Sequence, residues 1–186
     1  MSFVVIEGDN GSGKTTLSKE LQQLGYQIIS EDGEIKSRER KAKLLKNNER
    51  VTAFYDYNEF VAYKALRTAQ TCIVVRYWPS TLSAAYADDI INEEELVVQC
   101  SKNIERFPLP SVFVYLKCND STRVKRIQER VNIQAADDNC DKERSDRYRK
   151  AIEHIAFEVP AMWLFINSDV YRPDQLVDKL LPLIGR

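Results

Sequence analysis

The sequence predicts an α/β protein built on a parallel β-sheet. Short runs of β-branched residues alternate with longer stretches of helical spacing, the pattern of strands joined by crossover helices. The runs are apolar throughout rather than alternating, so both faces of the sheet are covered. The first run also leads into a glycine-rich turn, Gly8 to Gly13, which opens a helical pattern.

In chain order, SFVVIE, YQIIS, TCIVVR, SVFVYL and MWLFI read as five strands. Lys14 to Gln23 reads as a helix closing before Gly25, and Glu34 to Lys46 and Val51 to Thr68 as two more. Asp120 is an N-cap candidate for a helix carrying Arg123, Lys125, Arg126 and Arg130. A polar stretch without apolar periodicity follows, and a second charged helix begins near Lys142. Two helices joined by a polar loop make a lid candidate over about residues 131–143. The last helix starts near Pro173, whose fixed φ suits a first turn, and buries Leu176, Val177, Leu180, Leu181 and Ile184 at three- and four-residue spacing. No repeat, linker or composition break divides residues 1–186, which read as one domain.

Composition narrows the function classes. The chain has 186 residues, 44% hydrophobic and 30% charged, enough for one sizeable core. Its 27 basic side chains against 28 acidic ones argue against a nucleic-acid-binding surface. Cys72, Cys100, Cys118 and Cys140 are widely spaced, with His154 the single histidine, so neither a zinc site nor a disulfide scaffold is indicated. The opening apolar run is short and ends at Glu7, unlike a signal peptide, and no run is long enough to span a bilayer. A cytoplasmic location is expected.

The chemistry begins at VVIEGDNGSGKTT. Gly8, Gly13, Lys14 and Thr15 fit G-x-x-x-x-G-K-[ST], after a strand and at the start of a helix, where the motif has physical meaning. The loop of Gly8, Asp9, Asn10, Gly11, Ser12 and Gly13 turns N–H groups inward, and the helix N-terminus from Lys14 through Thr15 and Thr16 adds positive potential. Such a loop holds a nucleoside triphosphate, with Lys14 on the β/γ-phosphates and the Thr15 hydroxyl on Mg²⁺.

Arg76 leaves the carboxyl end of the third strand, where ligands of open α/β sheets bind, and is a candidate anion clamp facing that loop. Glu31 and Asp32 leave the second strand on the same edge. They read either as a base toward an acceptor hydroxyl or as an acidic turn capping the next helix. That helix, KSRERKAKLLKNNER, is strongly basic and reads either as an attractor of an anionic acceptor or as a solvated face.

The order IEG…GSGKTT, RYWPSTLSAAYA, LPSVFVYLKCNDSTRVKRIQER, a lid-like segment and MWLFINSD resembles thymidylate kinase and related nucleoside monophosphate kinases over nearly the whole chain. The resemblance implies a three-layer P-loop NTPase fold with a five-stranded parallel sheet and a helical lid. It implies ATP with Mg²⁺ as donor, a nucleoside monophosphate as the small-molecule acceptor, and a homodimer. By the same resemblance Arg76 grips the acceptor phosphate and Phe54 stacks on its base, with Tyr55 or Tyr57 as alternatives. Arg126 and Arg130 stand at the lid root as catalytic cations, and Arg130 and Asn167 border the donor. Gly11 leaves no arginine in the loop, so the catalytic cation comes from the lid. Three positions depart from the family pattern. Val75 replaces the Asp before the arginine, Asn10 replaces an acidic residue that contacts the acceptor sugar, and SAAYA lacks the glutamine that reads thymine. Glu31 resembles the base carboxylate of deoxynucleoside kinases.

Overall fold

A computed structural model describes residues 3–129 and 141–184. Five parallel strands form one sheet: β1 (Phe3–Gly8), β2 (Gln27–Ile28), β3 (Cys72–Val75), β4 (Val112–Lys117) and β5 (Met162–Asn167), in the spatial order β2-β3-β1-β4-β5. The helices among the described residues are α1 (Lys14–Gln23), α2 (Gly33–Lys43), α3 (Asn47–Arg67), α4 (Trp78–Ala87), α5 (Glu93–Arg106), α6 (Asp120–Gln128), α7 (Lys142–Glu158) and α8 (Pro173–Ile184). The arrangement is the expected three-layer one.

Strand periodicity sorts β1 between two cores. Phe3 and Val5 face one side and pack with Val74, Phe113, Tyr55, Val61, Trp78, Leu96 and Ile155. Val4 and Ile6 face the other and pack with Ile73, Val114, Leu17, Leu21, Leu176 and Leu180. Every residue of β1 is buried, as the continuous apolar run requires. The exception in composition is Glu7, which continues the stripe of Phe3 and Val5 and turns a carboxylate toward α4.

The five predicted strands are present, and β2 is shorter than its sequence run. Its ladder with β3 pairs Gln27 with Cys72 and Ile28 with Ile73, and then Ile29–Glu31 turns into a short 3₁₀ helix. The Val75 amide, two places further along that ladder, donates instead to the Ser30 hydroxyl at 3.0 Å. A side chain thus replaces the next backbone acceptor and the strand ends early. The helix expected over Lys14 to Gln23 has those bounds and the last helix starts at Pro173, while the two helices expected over Glu34 to Lys46 and Val51 to Thr68 are found with ends shifted by one to four residues. The connection from β3 to β4 adds α4 and α5, which the sequence reading does not assign.

Cys72 and Cys100 are buried free thiols and Cys118 is half-buried; Cys140 lies outside the described residues. Among the described residues no cluster of His, Cys, Asp and Glu could hold a metal, and no helix is long and apolar enough to cross a membrane.

Candidate active site

The site sits where the sheet order turns back on itself, at the carboxyl ends of β1 and β3, the switch-point position for ligands of open α/β sheets. β1 ends in Gly8 at φ +144°, and the loop passes through Gly11 at +80° and Gly13 at +100° into α1. A Cβ on Gly11 would stand 2.7 Å from the Arg123 carbonyl oxygen of α6. This close approach explains why the loop carries no arginine there.

Among the described residues no side chain caps α1, nor α3, α4 or α6, whereas Asp32, Asn92 and Asp141 cap α2, α5 and α7. The first amides of α1 have no partner within a helix and follow directly on the glycine loop, a donor set that fits a phosphate. Lys14 is 7% exposed, and its ammonium donates to the carbonyl oxygens of Gly8 and Asp9, both at 2.7 Å, and to Ser12 Oγ at 3.4 Å. Burial, together with the nearby Arg76 charge, pulls its pKa well below the usual lysine value. Thr15 is exposed at the first turn of α1.

Arg76 holds a left-handed backbone, φ +67°, a conformation costly for a residue with a Cβ. Its Nη2 donates to Asn10 Oδ1 at 2.6 Å, and its Nη1 lies 3.4 Å from both Ser80 Oγ and Tyr148 Oη. Behind it runs a buried polar chain. Tyr148 Oη and Ser80 Oγ are 2.8 Å apart, Ser80 Oγ donates to Glu7 Oε2, and Glu7 Oε1 accepts from the Tyr77 amide at 2.9 Å. Burial raises the Glu7 pKa, against the opposing pull of Ser80 and Arg76.

Two clefts flank the loop. The larger, about 540 Å³, joins Asn10, Gly13, Lys14, Thr15, Arg76 and Phe54. Phe54 meets Tyr57 edge-on at 6.0 Å between ring centroids, and one helical turn on, Asn58 donates to Thr81 Oγ1 at 2.9 Å. At its mouth Asp88 accepts from Arg50 of α3 and from Arg144 of α7, each at 2.6 Å. Lys36, Glu39 and Lys43 of the basic helix share the face that lines this cleft, so that face is not simply solvated. The smaller cleft, about 240 Å³, lies across Gly13 and is lined by Thr16, Arg126, Glu129, Ser168 and Tyr171 among others. Arg126 donates to the Gly11 carbonyl at 3.3 Å, Ser168 Oγ at 3.2 Å and the Ser168 carbonyl at 3.2 Å, tying α6 to the loop and to the end of β5.

Several sequence-predicted residues fall elsewhere. Asp32 does not line either cleft: its Oδ1 caps α2 by accepting from the Glu34 and Ile35 amides and pairs with Lys64 at 3.0 Å. The capping alternative holds for it. Of Glu31 only the backbone is described, in the 3₁₀ turn after Ser30. Asn167 accepts from the Asp169 amide at 2.9 Å, a local turn that presents Ser168 rather than Asn167 to the smaller cleft. Tyr55 is buried against Phe107 on the core side. Arg130 and most of the lid candidate, 131–140, lie outside the described residues.

The Lys64 ammonium, followed by the Ile35 amide, holds the Asp32 carboxyl below its usual pKa. Its contribution to stability is therefore complete above the ordinary carboxylate range and is lost as pH falls through the depressed value. Asp32→Ala is expected to lower the thermal midpoint at pH 7, with the difference from wild type shrinking in acid and turnover unaffected. A loss of turnover without a loss of stability would return Asp32 to the site.

A strand, a glycine loop and an uncapped helix carrying Lys14 and Thr15, at the switch point of a parallel sheet, define a P-loop nucleotide-binding α/β protein. Comparison with known proteins narrows this class: residues 3–155 match the AAA domain family, and the chain belongs to it. The chain is similar to thymidylate kinase of Leptospira borgpetersenii serovar Hardjo-bovis (strain L550), 26% identical over 200 residues, covering 99% of this chain and 93% of that protein. Among solved structures, deoxyadenosine kinase from M. mycoides with bound dATP superposes with a TM-score of 0.65 at 19% identity, covering 97% of this chain and 99% of the other. Thymidylate kinase from Candida albicans superposes with a TM-score of 0.66 at 14% identity, covering 98% and 90%. The fold is thus that of the P-loop kinases, and these relatives and neighbours are nucleotide and nucleoside kinases.

Proposed function

We propose that the chain is an ATP-dependent kinase that transfers the γ-phosphate to a nucleoside monophosphate. Residues 1–186 act as one P-loop kinase domain, with the lid at about 131–143. The observation that carries the reading is the charge of the larger cleft. Among the described residues Lys14, Lys36, Lys43, Arg50, Arg76 and Arg144 line it against Asp9, Glu39 and Asp88, six cationic side chains to three acidic ones. An excess of cations suits an acceptor that arrives as an anion, and a phosphate oxygen is already ionised and needs no general base. The similarity to a thymidylate kinase along the whole chain supports the same class.

In this reading the loop amides cradle the triphosphate and Lys14 exchanges its carbonyl partners for the β/γ-phosphates, where the opposite charge restores its own. Thr15 is the protein ligand that fits Mg²⁺, an ion that keeps several waters and takes few protein oxygens; when bound, it neutralises charge on the phosphates. The donor base takes the smaller cleft beside Arg126 and Ser168. Arg76 holds the acceptor phosphate and Phe54 stacks on its base. Arg126 and Arg130 bring cationic charge from the lid root. Catalysis is then positioning plus electrostatics, with no covalent enzyme intermediate.

A second reading takes a hydroxyl acceptor, favoured by one feature: Glu31 follows Ser30, which lines the larger cleft. One assay separates the two. ADP release from Mg-ATP is measured against the common nucleoside monophosphates and their parent nucleosides, for wild type and Glu31→Gln. Turnover confined to monophosphates and near-normal in Glu31→Gln is the expected result. Turnover confined to nucleosides, with a large loss in the variant, moves the chemistry to Glu31.

A further inference from the structure

We propose that Tyr148 is a positioning residue for the acceptor site, orienting the Arg76 guanidinium through its phenol oxygen; the inference rests on the monophosphate reading above. Tyr148 is carried by α7, the helix that follows the lid segment, and is 2% exposed. Its ring packs with Ala87, Tyr115 and Ile152, which fixes where the hydroxyl can stand.

The hydrogen-bond directions along the buried chain are self-consistent. A carboxylate at Glu7 accepts the single proton of Ser80, so the 2.8 Å contact between Ser80 Oγ and Tyr148 Oη uses the phenol proton, with Tyr148 as donor. The lone pairs of the phenol oxygen are then available to Arg76 Nη1 at 3.4 Å. Arg76 Nη2 is held at the other end by Asn10 of the phosphate loop, at 2.6 Å. The guanidinium plane is thus fixed at both ends, once by the loop and once by the hydrogen-bonded pair of Tyr148 on α7 and Ser80 on α4. This matters because an arginine head on its long rotatable stem loses much rotamer freedom when it is held in one place, so a guanidinium released from its partners has no reason to stay over the cleft. Glu7 anchors the chain from β1 and the Tyr77 amide locks Glu7 in turn.

The test is calorimetric binding of dAMP, dCMP, dGMP and dTMP, each beside its parent deoxynucleoside, to wild type and Tyr148→Phe. The variant keeps the ring and removes only the hydroxyl. Monophosphate affinity is expected to fall about tenfold, the scale of one hydrogen bond to a charged group, with deoxynucleoside and Mg-ATP affinities unchanged. In turnover, the acceptor KM rises while kcat stays nearly constant. Should Tyr148→Phe lower the thermal midpoint, Ser80→Ala removes the other oxygen 3.4 Å from Arg76 Nη1 and is expected to show the same phosphate-selective loss. Unchanged monophosphate affinity, or an equal loss for monophosphate and nucleoside, overturns the inference alone. A wild type that prefers no monophosphate to its nucleoside overturns the acceptor reading and this inference together.

Discussion

Lys14→Ala is expected to lower phosphoryl-transfer turnover by about 10³-fold, the scale lost when a preorganised charge stabiliser is removed from a transition state. The substitution should leave the fold intact, for a reason visible at the site. Lys14 is buried, its partners among the described residues being carbonyl and hydroxyl oxygens, and burial already disfavours its charged form. Removing it relieves a desolvated ammonium, and the thermal midpoint should stay level or rise slightly. Steady-state turnover and a melting curve on the same preparation check both halves. Retained turnover would sink the kinase assignment, because no other cation stands in the loop itself.

The second large effect is on stability. Gly11→Ala places a Cβ 2.7 Å from the Arg123 carbonyl oxygen, 3.0 Å from Arg123 Cγ and 3.2 Å from Ile127 Cγ1, at a φ of +80°. Backbone strain and the forced retreat of α6 together cost about 2–4 kcal/mol, or roughly 5–15 °C in thermal midpoint for a chain of this size. Gly25→Ala is the control: its φ is +93° with nothing within 4 Å of the added Cβ. It carries the strain without the collision, at about 1 kcal/mol. Equal losses for the two variants would mean that α6 yields freely to the loop. A larger loss for Gly11 should also weaken donor binding, because α6 carries Arg126 into the smaller cleft.

Much of this molecule can be read from its sequence, and the reasons for the remainder are physical. β1, β3 and β4 were legible because each is a continuous apolar run covered on both faces, and β5 was legible from the same apolar run although at the sheet edge it is only partly covered. The phosphate loop was legible because its spacing, glycines and neighbours coincide within a few residues. α4 was not legible as a helix, because Trp78, Ser80, Leu82, Ser83, Ala85 and Tyr86 are all buried and a helix wrapped by protein has no polar face to set a period. Asp32 was ambiguous because a carboxylate after a strand and before a helix can serve the cleft or the cap. Only the 3.0 Å contact of its Oδ1 with the Glu34 amide and its pairing with Lys64 separate the two.

Glu7, Ser80 and Tyr148 escaped for another reason. Each is unremarked in its own stretch and acquires meaning only beside the others. One signal was available, since a carboxylate third in a stripe with Phe3 and Val5, on a strand buried on both faces, requires a buried partner. The sequence could not say which one. The cationic face of Lys36 and Lys43 was legible as a pattern, and its orientation toward the cleft came only from the packing of α2 on α3.

The Glu7, Ser80, Tyr148 and Arg76 chain also bears on how the protein is made. Apart from the local Arg76–Ser80 contact, its hydrogen bonds join residues 68 to 73 positions apart, and contacts between distant parts of a chain form late because loop closure precedes them. The phosphate loop is local and can take shape as soon as β1 and α1 meet. The acceptor clamp cannot, since it needs β1, β3, α4 and α7 together. A growing chain that has not yet produced α7 holds the phosphate loop with neither cleft complete. The smaller cleft is no earlier, because it takes Ser168, Tyr171 and Leu176 from beyond α7, so in the proposed reading binding of either ligand reports assembly of the whole domain.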